Sequence, residues 1–282
     1  MPELPEVETV RRGIDERVVG RVITNVKVGR ERSVRRVGRE AVIHGLTGTT
    51  MLNARRRGKY LLCDLDSGDE VMIHLRMSGR VLVEPAGTER PPHTHVVLTL
   101  APRNGVVDEM WFVDPRTFGE VVVFDPTRTA EVLPELARLG PDPITDEFNA
   151  EVLANQLKGK RGALKPLLLN QHVVAGVGNI YADEVLHRSK LRWDRTADSL
   201  SRKQVALLAA SIVEILTEAI AAGGSTLVDT QYVDIEGNVG SFQENHRVYG
   251  RVGQGCLTCG KTSIRKVVVA GRSTSFCPRC QK

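Results

Sequence analysis

Short apolar runs in which β-branched side chains recur dominate the first 130 residues, and polar turn-forming stretches separate them. One helix is predicted at the start, and seven such runs follow: RVITNVKVG, YLLCDLD, EVMIHL, RVLVE, HVVLTLA, MWFVD and EVVVF. Stretches such as DSGDE and PRNG hold the residues that favour turns. Several short strands at this spacing are typical of an antiparallel sandwich or barrel. The pattern therefore predicts a β-sandwich domain over residues 1–130.

Near residue 130 the pattern changes to apolar positions at helical spacing, in AEVLPELARLG, FNAEVLANQLKGK, ALKPLLLNQ, NIYADEVLHRS and SRKQVALLAASIVEILTEAIAA. Ser201 followed by Gln204 has the spacing of a capping box, and Gly223-Gly224 ends the last helix. The segment LGPDP is the predicted hinge between the sandwich and the helices. We predict a helical domain over residues 131–246. The last helix carries one apolar stripe: Val205, Leu208, Ile212, Ile215, Leu216 and Ala219.

Residues 223–246 show no sustained period within this helical region. A stretch of this length without a pattern is usually a functional loop or a disordered one. The pattern alone does not decide between a functional loop and a disordered one over this range.

The length and the charge of the chain limit the classes of protein to which it can belong. The chain has 282 residues, a formal net charge of +5 and a sequence pI near 9.0. Such a length suits more than one domain, and a basic balance favours polyanionic partners. The most apolar stretch is interrupted by Glu214 and Glu218, which predicts a packed helix and not a membrane span. With no apolar signal region at the N-terminus, we expect a cytoplasmic protein without a membrane partner.

Cysteine spacing predicts a metal site in the last part of the chain, over residues 247–282. Cys63 stands alone in an apolar run and is expected to be a small buried hydrophobe. The other four form the pattern C-x₂-C-x₁₇-C-x₂-C, which matches a structural four-cysteine zinc ribbon that binds one Zn²⁺ and has no open catalytic position. The predicted ligands are Cys256, Cys259, Cys277 and Cys280.

A hairpin is predicted between the two cysteine pairs, with its turn at Ala270-Gly271. Arg265, Lys266 and Arg272 place positive charge on this hairpin. A nucleic-acid-binding finger explains these charges better than a solvated face does.

The stretch VVAGVGNIYADEV places glycines directly before a predicted helix, and basic residues lie upstream in KGKRGALK. Glycines allow close backbone approach, and a helix N-terminus offers free N–H groups to an anion. A phosphate site is one interpretation, and an ordinary corner between two helices is the other.

The opening sequence MPELPEVET allows a structural interpretation. Pro5 suits the first helical turn, and Glu6 and Glu8 complement the positive end of the helix dipole.

The same stretch also allows a chemical interpretation. If Met1 is removed, the α-amine of Pro2 titrates at about pH 8, so part of it is neutral and nucleophilic near neutrality. Its condensation with a sugar aldehyde carbon gives an iminium that acts as an electron sink. Glu3 beside it could shuttle a proton. If Met1 persists, Pro2 has no free amine and we expect no lyase activity.

A set of motifs occurs in order along nearly the whole chain: PELPEVETVRRG, RRRGKYLL, HLRMSGR, DPRTFG, GVGNIYADE, GGSTL, VYGR and the terminal zinc ribbon. Together they resemble the bacterial formamidopyrimidine-DNA glycosylase family. Each string alone is a weak signal, whereas the ordered set is specific.

The resemblance implies an α+β fold with a β-sandwich domain, a helix-two-turn-helix domain and the zinc ribbon. It implies a bifunctional base-excision repair enzyme, a DNA glycosylase and AP lyase. Its substrate would be double-stranded DNA with an oxidised purine, chiefly 8-oxoguanine opposite cytosine or a formamidopyrimidine. Strand cleavage would follow by β- and δ-elimination. The enzyme would act as a monomer in the bacterial cytoplasm, associated with the nucleoid through DNA.

Catalytic roles also follow from the resemblance. Pro2 would attack the sugar C1′, Glu3 would be the acid/base partner, and Glu6 would hold the environment of the nucleophile. Lys59, which by residue pattern alone is a lysine at a strand end, would assist β-elimination. Arg272 would clamp phosphates at the lesion and take part in δ-elimination.

The remaining matches are DNA contacts. Met77, Arg116 and Phe118 would form an intercalating triad that fills the gap left by a flipped base. Asn179 would bind a phosphate, and the loop 223–246 would close over the flipped lesion. Similar DNA-contact positions are occupied by His74, His93, Arg161 and Lys165.

One departure and two alternatives accompany the resemblance. The spacing between the cysteine pairs is one residue longer than the usual family pattern, although Arg272 keeps its distance from Cys277. One alternative is an endonuclease VIII-like glycosylase for oxidised pyrimidines, against which Leu4 and the string ELPEVET argue. The other is a non-catalytic zinc-ribbon DNA-binding protein, which gives no reason for a Pro-Glu terminus.

Overall fold

Two compact units make up the chain, and the computed structural model describes residues 1–227 and 232–282. Met1–Ala137 and Gly223–Ser241 form the first unit, and Arg138–Ala222 and Phe242–Lys282 form the second. The sequence pattern placed 223–246 with the helices, whereas most of this segment belongs to the first unit. Residues 228–231 of that predicted loop lie outside the described residues.

Helix α1, Leu4–Arg17, opens the first unit. Proline in its first turn presets the backbone dihedral, and the acidic Glu6 complements the positive end of the helix dipole. Val7, Val10 and Ile14 recur at helical spacing and are fully buried, so one face of α1 packs into the core.

Eight antiparallel strands form two four-stranded sheets in this unit, in the orders β1-β6-β7-β5 and β2-β3-β4-β8. All seven predicted runs are strands. The eighth is β2, with the sequence MLNARRR, which has too few apolar positions to give a strand signal. The strands are β1 Ile23–Val28, β2 Met51–Arg57, β3 Tyr60–Leu65, β4 Glu70–His74, β5 Arg80–Pro85, β6 Thr94–Leu100, β7 Asp108–Val113 and β8 Glu120–Phe124.

A single apolar cluster joins both sheets to α1 and to helix α2, Arg39–Leu46. This common core confirms the predicted sandwich. Cys63 is fully buried in the cluster, and burial raises the pKa of its thiol to about 12, so it is an inert core side chain. Short turns of helix complete the unit: Glu31–Val34, Pro126–Arg128, α3 Thr129–Val132 and α4 Pro134–Ala137.

The second unit is helical and ends in the cysteine module. Helix α8 has the predicted capping box, in which Ser201 N donates to Gln204 Oε1 (3.0 Å) and Gln204 N donates to Ser201 Oγ (3.3 Å). The predicted stripe of α8 is buried. The helices are α5 Ala150–Leu157, α6 Leu164–Leu169, α7 Asn179–Arg188 and α8 Arg202–Ala221, with 3-10 turns at Ala197–Ser199 and Phe242–Asn245.

Helix α8 meets the length and hydropathy criteria for a membrane span, and half of its most apolar window is buried (50%). Since the buried positions include the whole predicted stripe, α8 is a packed core helix of its unit.

The cysteine module contains a two-stranded hairpin of β9, Arg265–Val269, and β10, Arg272–Phe276. Val269 pairs with Arg272, and both Ala270 and Gly271 have positive φ (48° and 74°), as a two-residue hairpin turn requires. The predicted hairpin, and with it the α+β class with a sandwich, helices and a cysteine ribbon, is confirmed.

Candidate functional site

Two carboxyl groups are enclosed at the start of the chain, next to the buried Pro2. Glu3 is the residue that precedes α1, and Glu6 lies in the first turn; they are 2% and 1% exposed. The backbone N–H of Glu3 donates to Glu6 Oε2 (2.8 Å), which is the return bond of a capping box. The first turn of α1 therefore fixes both carboxylates beside Pro2.

The second oxygen of Glu6 binds the chain far away in sequence. Ser225 N donates to Glu6 Oε1 (2.7 Å), and Tyr232 Oη donates to Glu6 O (3.3 Å). Gly224 has φ +80°, and a Cβ there would lie 2.7 Å from Glu6 Oε1, so the close approach requires glycine. The segment GGSTL is thus attached to the first turn of α1 through one carboxylate.

Lys59 lies in the two-residue turn between β2 and β3. Arg57 pairs with Tyr60, and Gly58 has φ 58°, which suits the first position of a tight hairpin turn. Lys59 is only 6% exposed. The buried Arg56 donates to Glu8 Oε2 (3.1 Å), which ties the hairpin to α1. Lys59 is therefore a buried lysine on a hairpin that is fixed to α1, and not a solvent-exposed side chain at a strand end.

His74 ends β4 beside this hairpin, and its ring packs edge-on against Tyr60 with centroids 4.3 Å apart. Burial, together with the positive charges of Arg76 and Lys59, holds the pKa of His74 well below its usual value. Arg76 N donates to Nδ1 (3.0 Å). The ring is therefore neutral with its proton on Nε2, and it offers a hydrogen-bond donor suited to a phosphate oxygen.

Met77 and Phe118 are exposed at the tips of two loops, 38% and 47% respectively. The residues just before them, Arg76 and Thr117, have positive φ (51° and 56°), which is uncommon for residues other than glycine. Large apolar side chains held at strained tips are placed to contact a partner and not the core.

Hydrogen bonds join these loops to a third one. Ser78 Oγ donates to Asp114 Oδ1 (2.5 Å), and Arg116 N donates to Ser78 Oγ (3.2 Å). Asp114 N donates to the carbonyl of His93 (3.0 Å), another exposed residue with positive φ (69°). The structure thus brings together four of the predicted DNA-contact residues, Met77, His93, Arg116 and Phe118.

In the second unit, Asn179 begins α7 directly after the glycine turn. Its Oδ1 is buried and has no hydrogen-bond partner among the described residues, while Nδ2 donates weakly to Ser273 Oγ (3.4 Å). A rotation of the amide by 180° lets Ser273 Oγ donate to Oδ1 and places Nδ2 where Oδ1 now has no partner. The N–H groups at the N-terminus of α7 are the kind that bind an anion, and the phosphate site stays a prediction.

Gln171 holds the glycine turn in place, a role that no local pattern indicated. Its Nε2 donates to the carbonyls of Leu169 and Val177 (both 2.9 Å), and Gly176 N donates to its Oε1 (2.8 Å). A side-chain amide therefore replaces backbone partners that the tight turn cannot supply.

Lys165 requires a correction. The basic stretch KGKRGALK and the resemblance put it among the DNA contacts, but it is 1% exposed. Its Nζ donates to Asp183 Oδ1 (2.6 Å) and to the carbonyl of Ser273 (2.7 Å), while Ser275 N donates to Asp183 Oδ2 (2.8 Å). Lys165 therefore braces β10 against α6 and α7, and its ammonium does not reach solvent.

Arg272 and Arg161 are exposed, as charge-bearing DNA contacts require. Arg272 is the first residue of β10, so the Lys165–Asp183 pair fixes the hairpin that carries it.

The four cysteines fit a tetrahedral zinc ion. All four sulfur atoms lie within 4.8 Å of one another, and the Cys256–Cys280 and Cys259–Cys277 sulfur separations are both 3.8 Å. Zn–S bonds of about 2.3 Å in a tetrahedron give sulfur separations of about 3.8 Å. The thiolates would hold a structural zinc ion with no open position.

Glu184 anchors the start of the cysteine module and was not anticipated from the sequence. This buried carboxylate accepts from the backbone N–H groups of Arg247, Val248 and Tyr249 (2.8, 3.0 and 2.8 Å). A residue that looks like an ordinary helical glutamate is thus a structural ligand of the neighbouring segment.

The three parts of the chain match known families. Residues 1–121 match the Formamidopyrimidine-DNA glycosylase N-terminal domain, residues 139–231 match the Formamidopyrimidine-DNA glycosylase H2TH domain, and residues 253–282 match the zinc finger found in FPG and IleRS.

Full-length relatives agree with these matches. The chain is 44% identical over 291 residues to a protein of Cereibacter sphaeroides named Formamidopyrimidine-DNA glycosylase, with 100% of both chains covered. A Lactococcus lactis Fpg bound to DNA with an abasic site superposes with a TM-score of 0.88 at 36% identity, covering 99% of both chains. The wild-type L. lactis Fpg with DNA containing N7-benzyl-Fapy-dG gives 0.89 at 36% identity and covers 100% of both.

Proposed function

The chain belongs to the formamidopyrimidine-DNA glycosylase family, and from this premise we propose how it excises oxidised purines from duplex DNA and cuts the strand at the resulting site. It is a DNA glycosylase of base-excision repair that binds double-stranded DNA carrying a damaged base. AP lyase activity is typical of the family. The observation that carries the proposed mechanism is the pair of enclosed carboxylates around Pro2 in the first turn of α1.

In the first step, with Met1 removed, the lone pair of the Pro2 nitrogen forms a bond to C1′ of the damaged nucleotide. The glycosidic bond breaks, the base leaves with its electron pair, and the Pro2 nitrogen loses its N–H proton, which balances the proton that the base takes up. Glu3 then donates a proton to the sugar ring oxygen, the C1′–O4′ bond breaks, and the nitrogen lone pair forms the C1′=N bond of an iminium. Glu6 fixes the backbone of Glu3 and thereby positions this acid.

In the second step the positive iminium acidifies C2′. Loss of a C2′ proton and departure of the 3′ phosphate give β-elimination, and a further elimination releases the 5′ phosphate. We assign Lys59 to the first elimination, because it is held next to α1 on the β2–β3 turn, and Arg272 to the second. Zinc bound by the four cysteines would keep the hairpin of Arg272 folded and takes no part in these bond changes.

Flipping the damaged nucleotide costs a few kcal/mol and leaves a hole in the duplex. We propose that Met77 and Phe118 enter this hole from their exposed loop tips and that Arg116 bonds the widowed base. His74 donates Nε2–H to a backbone phosphate, and Asn179 with the N-terminus of α7 binds another. His93 and Arg161 add further contacts to DNA.

As a bacterial-type DNA-repair enzyme the protein has a cytoplasmic location. We propose that it is associated with the nucleoid through DNA and that one chain acts as a monomer.

The decisive experiment compares one preparation before and after methionine aminopeptidase treatment, with mass spectrometry to follow the removal of Met1. Only the processed protein should be trapped by borohydride on a duplex with 8-oxoguanine opposite cytosine, and peptide mapping should place the adduct on Pro2. Equal trapping of the unprocessed protein would assign the nucleophile to another residue. Thymine glycol in the same duplex tests the oxidised-pyrimidine alternative, which requires faster excision of that base.

A further inference from the structure

We propose that Asp114 is a positioning residue that holds the intercalating loops in their insertion geometry; this rests on the proposed function. Asp114 directly follows β7, is fully buried, and begins the loop that carries Arg116 and Phe118.

The carboxylate of Asp114 accepts hydrogen bonds from both intercalating loops. Oδ1 accepts from Ser78 Oγ (2.5 Å), next to Met77, and from Arg116 N (3.2 Å). Oδ2 accepts from Gly119 N (2.7 Å). One rigid group therefore sets the distance between the loop that carries Met77 and the loop that carries Phe118.

The backbone of Asp114 adds a contact with the loop of Phe118 and contacts with the start of β6. Its carbonyl accepts from Thr117 N (3.2 Å) and is 2.9 Å from His95 Nε2, while its N–H donates to the carbonyl of His93 (3.0 Å). The backbone N–H, the backbone carbonyl and both carboxylate oxygens of Asp114 therefore all form hydrogen bonds that hold these segments in place.

Gly119 is required for this arrangement. A Cβ at Gly119 would lie 3.1 Å from Asp114 Oδ2, 2.9 Å from the carbonyl of His74 and 2.5 Å from Phe112 Cζ. Glycine after Phe118 therefore lets its backbone N–H reach the carboxylate. Arg32 Nε supports the other side of the loop by donating to the carbonyl of Thr117 (2.9 Å).

A pre-fixed wedge lowers the entropy lost when the duplex is opened, because the strained tips are already in place. Without the carboxylate, Met77 and Phe118 would still be present but would enter the base stack with poorer geometry. The chemical steps at the N-terminus do not involve Asp114.

The test is Asp114→Asn, which keeps the shape but removes the charge and one acceptor. If the amide oxygen accepts from Gly119 N, the NH₂ group faces Ser78 Oγ, which can turn to accept, and Arg116 N keeps only Ser78 Oγ as an acceptor. We expect kcat/KM for 8-oxoguanine in duplex DNA to fall about 10- to 100-fold, the effect of losing a charge-assisted hydrogen bond. Strand cleavage at an abasic site in single-stranded DNA, where there is no opposing strand to hold apart, should be unchanged.

Stopped-flow fluorescence of pyrrolocytosine opposite the lesion gives a second readout, and its insertion phase should slow in Asp114→Asn. Ser78→Ala removes the hydroxyl that donates to Asp114 Oδ1 and accepts from Arg116 N, but it leaves the carboxylate and its bonds to Arg116 N and Gly119 N. It should give a smaller decrease of the same kind. Asp125→Asn is the matched control, since Asp125 is a carboxylate of the same unit that accepts from Thr127 N (2.8 Å) outside these loops. It should leave both substrates and the insertion phase unchanged.

Equal losses on duplex and single-stranded substrates would show a general folding defect and overturn the positioning role, as would wild-type behaviour on both. A wild-type protein that excises no base would instead count against the proposed function itself, so the two failures are distinguishable.

Discussion

The sandwich and the cysteine module differ in how much apolar packing holds their functional side chains. In the first unit the loops stand on a continuous core that joins α1 to both sheets. Among the described residues, the buried cluster of the module is small: Val248, Ile264, Cys256 and Cys277, with the partly buried Cys259 and Cys280 packed against it. Small cores of this kind rarely fold without a metal or other cross-link. The fold of the ribbon therefore depends on zinc and on polar anchors, whereas the sandwich is stabilised by the burial of apolar side chains.

Those polar anchors come from adjacent residues of one helix. Asp183 reaches Lys165 and Ser275, whereas Glu184 binds the backbone of 247–249. Successive side chains on a helix point about 100° apart, so neighbouring carboxylates can anchor two separate parts of the module. In the sandwich a buried carboxylate, Asp114, also fixes loops, but there a large apolar core already stabilises the unit.

Removal of zinc should have the largest effect, and it should destabilise the cysteine module far more than the sandwich. Structural zinc in small modules contributes about 10–16 kcal/mol of apparent binding free energy. After chelation we expect amides of β9 and β10 to lose hydrogen-exchange protection and DNA affinity to fall, while the sandwich strands keep their protection. Cys256→Ser should have the same effect, and Cys63→Ala, in the sandwich core, should leave the zinc content unchanged. Protected ribbon amides in zinc-free protein would contradict this dependence.

Asp183→Asn should have the next largest effect. It leaves the Lys165 ammonium buried without its carboxylate, at a cost of about 3–5 kcal/mol in the free energy of unfolding. Denaturant unfolding of the second unit, followed together with exchange of β10, measures the loss.

The matched control is Glu218→Gln, which breaks the exposed pair with Arg188 on the same unit and should change stability by less than about 1 kcal/mol. If both variants lose the same amount, the buried pair does not anchor the ribbon.

The smallest expected effect is the dependence of the stability of the sandwich on pH, through His74. Folded His74 has a depressed pKa, whereas in the unfolded chain a histidine titrates at about 6.5. Below that pH the unfolded state binds a proton that the folded state does not, so stability falls as pH drops through about 6.5. Relative to His74→Gln, the wild-type protein should lose about 1 kcal/mol between pH 7.5 and 5.5. Urea unfolding curves of the two proteins that stay parallel across this range would count against a buried neutral ring.

Much of the fold follows from local sequence signals. Short runs rich in β-branched residues predicted seven of the strands, the cysteine spacing predicted the ribbon, and Ser201 with Gln204 predicted the start of α8. These features depend on neighbours in sequence or on fixed spacings. Strand β2 was not predicted, because an edge strand that ends in three arginines has few apolar positions.

The contacts that organise the candidate site could not be predicted in the same way. Asp114, Glu184 and Gln171 are polar residues whose burial is decided by distant partners, and no local pattern separates them from solvated ones. Lys165 shows the reverse error, since a basic stretch suggested exposure whereas tertiary packing buried its ammonium. The role of Pro2 came from terminal chemistry and the family resemblance, and it stays a prediction until trapping is done.

The bond between Glu6 and Ser225 spans 219 positions of the chain. During translation, the first helix leaves the ribosome long before the glycines that must approach this carboxylate have been made. The sandwich can form early, yet the segment GGSTL joins it only after α8 has emerged. A nascent or truncated chain therefore carries the first turn of α1 without the segment that binds the Glu6 carboxylate, and this part of the fold is completed only when synthesis is nearly finished.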